Sequence, residues 1–118
     1  MDWFKVYSKG WLQGSIRQQL TVEQRSVWID LIALASETKF RDGTLRHGLD
    51  VPMPREYIAS VLQIPLELLN ATIEVCQHDR NFKDGKHRIE IWDDGTIELA
   101  NFADYQSLPE HIRKTKEL

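Results

Sequence analysis

Cationic side chains crowd one short stretch of this 118-residue chain, where Arg80, Lys83, Lys86, His87 and Arg88 surround Asp84. Long, positively charged side chains at such density suit contacts to phosphate oxygens, and Lys83, Lys86, His87 and Arg88 are the candidates for that chemistry. A second basic group, His111, Arg113, Lys114 and Lys116, lies near the last residue, with Arg113 and Lys114 as further phosphate candidates. Between helix-patterned neighbours, Asn70 and Gln77 fall two turns apart on one face. Each amide carries the donor and acceptor that read adenine in a major groove. Solvated surface charge is the plainer explanation of both basic groups.

Nothing in the chain is arranged for catalysis. Ser15 and Ser26 lack a nucleophile-elbow motif, and Asp93-Asp94 sits in a turn that uses aspartate for its own geometry. Gly10, Gly14 and Gly85 have neither the spacing nor the flanking strand of a phosphate-binding loop. Cys76 and His78 are two positions apart on a helical pattern and point about 200° away from each other. His47, His87 and His111 are scattered without ligand spacing. The expectation is a protein that is not an enzyme and uses no metal or cofactor.

The elements that must position these residues begin with the ribbon signal Arg88-Ile89-Glu90-Ile91-Trp92-Asp93-Asp94-Gly95-Thr96-Ile97-Glu98-Leu99. A two-residue Asp94-Gly95 turn would set Ile91 against Glu98 and mix apolar with charged side chains on each face. A three-residue Asp93-Asp94-Gly95 loop pairs Ile91 with Ile97 and Ile89 with Leu99, with Gly95 left-handed. The second register is preferred. It places Glu90 opposite Glu98 on the outer face, where like charges mildly destabilise the ribbon and repel phosphates. Trp92 falls on that outer face as well. Packing on the N-terminal arm at Trp3 or Tyr7 is its favoured fate, followed by a protein contact and then stacking on a base.

Helical patterns precede the ribbon. Trp3-Phe4-Lys5-Val6-Tyr7 reads as an edge strand or an extended arm. Trp11, Leu12, Ile16 and Leu20 have helical spacing, weakened by Gly14. Thr21-Val22-Glu23-Gln24 is a capping box that opens a central helix running to about Thr38, with Trp28, Leu31, Ile32 and Ala35 as its expected core. Asp42-Gly43 turns the chain into a short strand, Thr44-Leu45-Arg46-His47, bordering the ribbon. A helix from Pro54 with Tyr57, Ile58, Val61 and Leu62 on one side ends at Ile64-Pro65. Another follows from Pro65 to about His78, with Leu66, Leu69, Ile73 and Cys76 facing inward. Two helices across so tight a corner form a helix-turn-helix. The second presents Glu67, Asn70, Ala71, Glu74, Gln77 and His78 outward; its two carboxylates oppose insertion into a groove, and a polar face for solubility or for a partner protein is the favoured reading.

Length and 42% hydrophobic content suit one soluble domain. A start of Met1-Asp2-Trp3-Phe4-Lys5 lacks the form of a secretion signal, and the lone Cys76 allows no intrachain disulfide, so a cytoplasmic protein away from membranes is expected. The net charge of −3 runs against a domain devoted to gripping phosphates. Three or four phosphate contacts give a log–log salt slope of roughly −3, which is weak binding unless several copies act together.

In order and spacing, Trp3-Phe4-Lys5-Val6-Tyr7, Asp42-Gly43-Thr44-Leu45, Pro54 with Glu56-Tyr57-Ile58-Ala59, Leu62, Pro65, the ribbon from Ile89 to Ile97, Asn101-Phe102 and Tyr105-Gln106 resemble the N-terminal domain of phage replisome organisers, themselves similar to DnaD-like primosome components. The resemblance implies a winged helix of a replication-initiation protein that helps assemble a helicase-loading complex on DNA. It also implies an N-terminal domain associated with self-assembly, with much of the DNA binding in a later domain. The Asn81-to-His87 segment is longer than the connection usual in that family.

The expected fold is thus mainly α with a small antiparallel β wing, a winged helix-turn-helix over residues 1–106, with 107–118 as a basic tail or the start of a linker. The expected function is non-enzymatic DNA binding in replication initiation, with double- or single-stranded DNA, a helicase loader and further copies of the chain as partners. The alternatives are an assembly module that touches proteins only, through exposed helix faces and Trp92, and a winged-helix transcriptional regulator.

Overall fold

Two aliphatic stripes, one on a ribbon and one on a helix, meet at the centre of this protein. The computed structural model describes residues 3–80 and 85–106. An extended arm leads into helices α1 (Ser8–Gln13), α2 (Ser15–Gln19) and α3 (Val22–Glu37), then strands β1 (Thr44–Gly48) and β2 (Val51–Pro52). Helices α4 (Arg55–Leu62) and α5 (Leu66–His78), strands β3 (Ile89–Ile91) and β4 (Ile97–Leu99), and helix α6 (Phe102–Gln106) complete the order. The four strands form one antiparallel sheet ordered β2-β1-β4-β3. The fold is mainly α with a small antiparallel sheet, as the sequence predicts.

The ribbon adopts the three-residue loop. Its pairs are Ile89 with Leu99, Glu90 with Glu98 and Ile91 with Ile97. Gly95, at φ +92°, closes the loop by donating its N–H to the Trp92 carbonyl at 2.9 Å. Strand β1 borders it through Thr44–Glu98 and Leu45–Ile97, as the Asp42-Gly43 turn predicts. Period-two alternation then buries Ile89, Ile97 and Leu99 on one face, with Ile91 half-buried.

The capping box is present. The Thr21 hydroxyl accepts from the Gln24 N–H at 3.2 Å and the Gln24 side-chain Oε1 accepts from the Thr21 N–H at 3.0 Å. Below it, α3 buries Val27, Leu31 and Ala35 against α5 and the sheet. Trp28 and Ile32, expected in that core, are half-buried: they pack against it and also line a cleft. The expected single helix from Trp11 to Leu20 starts earlier and is split, because Gly14 takes an extended conformation with ψ −175°. In α4 the buried side chains are Ile58 and Ala59; Tyr57 and Val61 are exposed, and Tyr57 packs edge-on against His47 at 4.5 Å between ring centroids.

Helices α4 and α5 meet at 111° across Gln63-Ile64-Pro65. Gln63 is left-handed at φ 57°, and the Ile64 N–H returns to the Ala59 carbonyl at 3.1 Å, which satisfies the end of α4. Leu69, Thr72, Ile73 and Cys76 form the buried stripe of α5, while Leu66, expected in it, lies in the exposed first turn. No single helix among the described residues is long and apolar enough to cross a membrane. The arm is not a strand: Gln106 holds it by accepting from the Lys5 N–H at 2.7 Å and donating to the Lys5 carbonyl at 2.9 Å.

Gly43 is the tightest point of the turn, at φ +89°, where an added Cβ would stand 2.6 Å from Phe102 Cβ and 2.7 Å from the Leu99 carbonyl. A Cβ at Gly95 meets nothing. Gly95→Ala therefore costs only the left-handed penalty of about 1–2 kcal/mol. Gly43→Ala adds an overpacking cost of about 1–3 kcal/mol to a similar penalty. Urea unfolding of both variants checks the order; equal losses contradict the packing described here.

Candidate nucleic-acid interface

Burying one stripe of α5 leaves Glu67, Asn70, Ala71, Glu74 and His78 exposed and Gln77 half-exposed. The face is polar, and its charges are partly spoken for: the Glu74 carboxylate lies 3.0 Å from His78 Nε2. A guanidinium reaches this face from the neighbouring helix. Arg55, in the first turn of α4, donates from Nη1 to Asn70 Oδ1 at 3.0 Å. Pattern-reading of α5 alone misses that cation, because the two residues are 15 positions apart and meet only when the corner folds.

At the far end of α5 the chain passes into the basic stretch. Arg80 and His87 form an isolated antiparallel bridge, which sets Arg80 and Lys86, both exposed, near the start of the ribbon. The expected phosphate group does not stay together. His87 is half-buried and lines the cleft, its Nδ1 enclosed without a hydrogen-bond partner among the described residues. Arg88 is only 3% exposed, so it is withdrawn from the surface set. Its N–H donates to the Cys76 carbonyl at 3.0 Å, its carbonyl accepts from the Ala100 N–H at 2.8 Å, and its Nη2 donates to the Ser15 hydroxyl and the Arg80 carbonyl. The side chain thus ties α2 to the exit of α5. Lys83, Arg113 and Lys114 lie outside the described residues.

The wing carries a second cluster. Arg46 lies 4.0 Å from the Phe40 ring centroid and 5.3 Å from that of Trp92, and it pairs with Asp42 at 3.0 Å. Trp92 is 40% exposed and does not pack on the arm; its indole N–H donates to Glu98 at 2.9 Å. That bond engages one of the two facing carboxylates and eases the repulsion expected between Glu90 and Glu98. Burial raises the Asp42 carboxyl, yet the Thr44 hydrogen bonds and the Arg46 charge outweigh it and hold the group below its ordinary value. Hydrogen bonds from Thr96 lower Asp94, whose Oδ1 accepts the Thr96 N–H at 2.9 Å. Burial pushes the Cys76 thiol up to about 12, which makes it inert as a nucleophile or ligand.

A cleft of about 830 Å³ lies among the arm, α1–α2, α3, α6 and the approach to the ribbon, with Trp11, Trp28, Ile32, Phe102, His87 and Arg88 on its walls. Arm and α6 are joined there by the Tyr7 hydroxyl, which donates to the Tyr105 carbonyl at 2.9 Å. Among the described residues no three His, Cys, Asp or Glu side chains gather as a metal site.

The family model for the N-terminal phage replisome organiser matches residues 19–117. Comparison with curated proteins and with solved structures gives no match.

Arg88 and Lys86 are neighbours with opposite duties. Arg88→Ala leaves a cavity and strips a charged donor from Ser15 and Arg80, and is expected to destabilise by about 2–4 kcal/mol. Lys86→Ala stays within about 0.5 kcal/mol of the parent, as a surface change does. Thermal unfolding of the two variants decides; an Arg88→Ala protein as stable as the parent contradicts the buried placement.

Proposed function

The chain belongs to the N-terminal phage replisome organiser family, and we propose that it is a non-enzymatic DNA-binding protein of replication initiation that works beside a helicase loader. Family membership gives it a replication-related role. The observation that carries the DNA-binding reading is the outer face of α5: the fold leaves it uncovered and delivers Arg55 onto it. Arg80 and Lys86, where the chain leaves α5 for the wing, suit the phosphates that flank a groove occupied by such a helix. Lys83, Arg113 and Lys114 add positive charge by sequence and are proposed as further phosphate contacts.

Charge sets the strength. A net charge of −3 and few cations on the face make each copy a weak binder, and affinity useful at an origin comes from several copies on one duplex. A protein-only assembly role is the second reading, favoured by the aromatic cleft and by Trp3 and Leu12, which are 55% and 61% exposed. Light scattering with and without DNA separates the two: particles that grow only with DNA support the first, and growth indifferent to DNA supports the second.

Fluorescence anisotropy with duplex and single-stranded probes between about 50 and 200 mM salt tests the reading. The expected log–log slope is roughly −3, and Lys86→Ala flattens it by about one contact without changing sequence preference. Absence of binding at the lowest salt, at protein concentrations that allow several copies per probe, overturns the proposal.

A further inference from the structure

We propose that Arg55 and Asn70 act together as a guanine-reading pair, an inference that rests on the DNA-binding reading above. Asn70 lies in the second turn of α5, exposed, and its Oδ1 accepts the Arg55 Nη1–H at 3.0 Å. The bond orients the amide: the oxygen faces the guanidinium, and Nδ2 faces away from it. An asparagine reads adenine by presenting its oxygen and nitrogen side by side, accepting from N6 and donating to N7. Here the oxygen is engaged by a cation.

What the pair offers outward is a set of donors. Asn70 Nδ2 has two hydrogens, and the guanidinium keeps four of its five after the one given to Asn70. Guanine sets two acceptors, O6 and N7, next to each other in the major groove; adenine sets an acceptor beside a donor, thymine an acceptor beside a methyl, and cytosine a donor. Adjacent donors on the protein therefore select guanine. The charge balance agrees, because α5 has Glu67 and Glu74 and no lysine or arginine of its own. Arg55 supplies the cation that offsets Glu67, which lies three residues before Asn70 and hence beside it on the helix. Arg55 is half-buried in the first turn of α4, so its fork is held rather than swinging freely.

Selection of sites from a randomised duplex library, with thermal unfolding of every variant, tests the pair. The wild-type protein is expected to select one guanine position. Arg55→Ala releases Oδ1 and is expected to move that position from guanine to adenine by roughly ten-fold, the scale of one bidentate contact. Asn70→Asp keeps the bond to Arg55, and with it the fold, but replaces the outward donor with an acceptor; its preference is expected to leave guanine for cytosine. A preference unchanged in both variants, or affinity that falls equally for all sequences, overturns the inference and makes the bond a pin between helices. Wild-type binding without any base preference also overturns it while leaving the proposed function intact. Absence of binding removes both.

Discussion

Burial of the ribbon's aliphatic face against α5, in one core with α3, is the interaction on which the rest of this structure depends. Ile89, Ile97 and Leu99 are at most 2% exposed, and they meet a core built on Leu31, Leu69 and Ile73. Each such side chain contributes about 1.5–3 kcal/mol when fully buried, against about 1 kcal/mol net for a backbone hydrogen bond. Side-chain burial, more than the short ladder, therefore sets the register. That register places Glu90, Trp92 and Glu98 on the outer face, and a slip of one residue would turn them inward. Arg88 shares their parity but lies in the bend before β3, where its side chain turns inward to Ser15 and the Arg80 carbonyl.

The same packing orients the helix-turn-helix. With Leu69, Thr72, Ile73 and Cys76 committed to the core, the face bearing Asn70 and Gln77 has nowhere to point but outward. The left-handed Gln63 and the extended Pro65 turn α4 so that its first residue, Arg55, reaches that face. Fold and candidate interface are consequences of one arrangement.

Much of this was legible in the residues. Aliphatic alternation around Asp93-Asp94-Gly95 identifies the loop, Thr21 and Gln24 identify the cap, and Pro54 and Pro65 delimit the corner, because each signal is local. What was not legible depends on distant partners. Arg88 sits in a run of cations and reads as surface; only contact with Ser15, 73 positions away, shows it to be interior. Trp28 reads as core from the pattern of α3, and only the packed structure shows Val27 to be the fully buried neighbour. Trp92 could not be assigned to Glu98 rather than the arm from its own face alone. The contact of Arg55 with the outer face of α5 was invisible for the same reason: the side chain starts in α4 and ends on Asn70.

We propose that DNA lies on the outer face of α5, with Arg55 and the basic exit at Lys86. Titration of the isotopically labelled protein with a short duplex, followed by amide chemical shifts, tests it most directly. The account predicts that perturbations concentrate at Arg55, Asn70, Gln77 and Lys86 and spare Trp11, Trp28 and Ile32 in the cleft. Perturbations gathered around the cleft, or a spectrum unchanged by DNA, would contradict it.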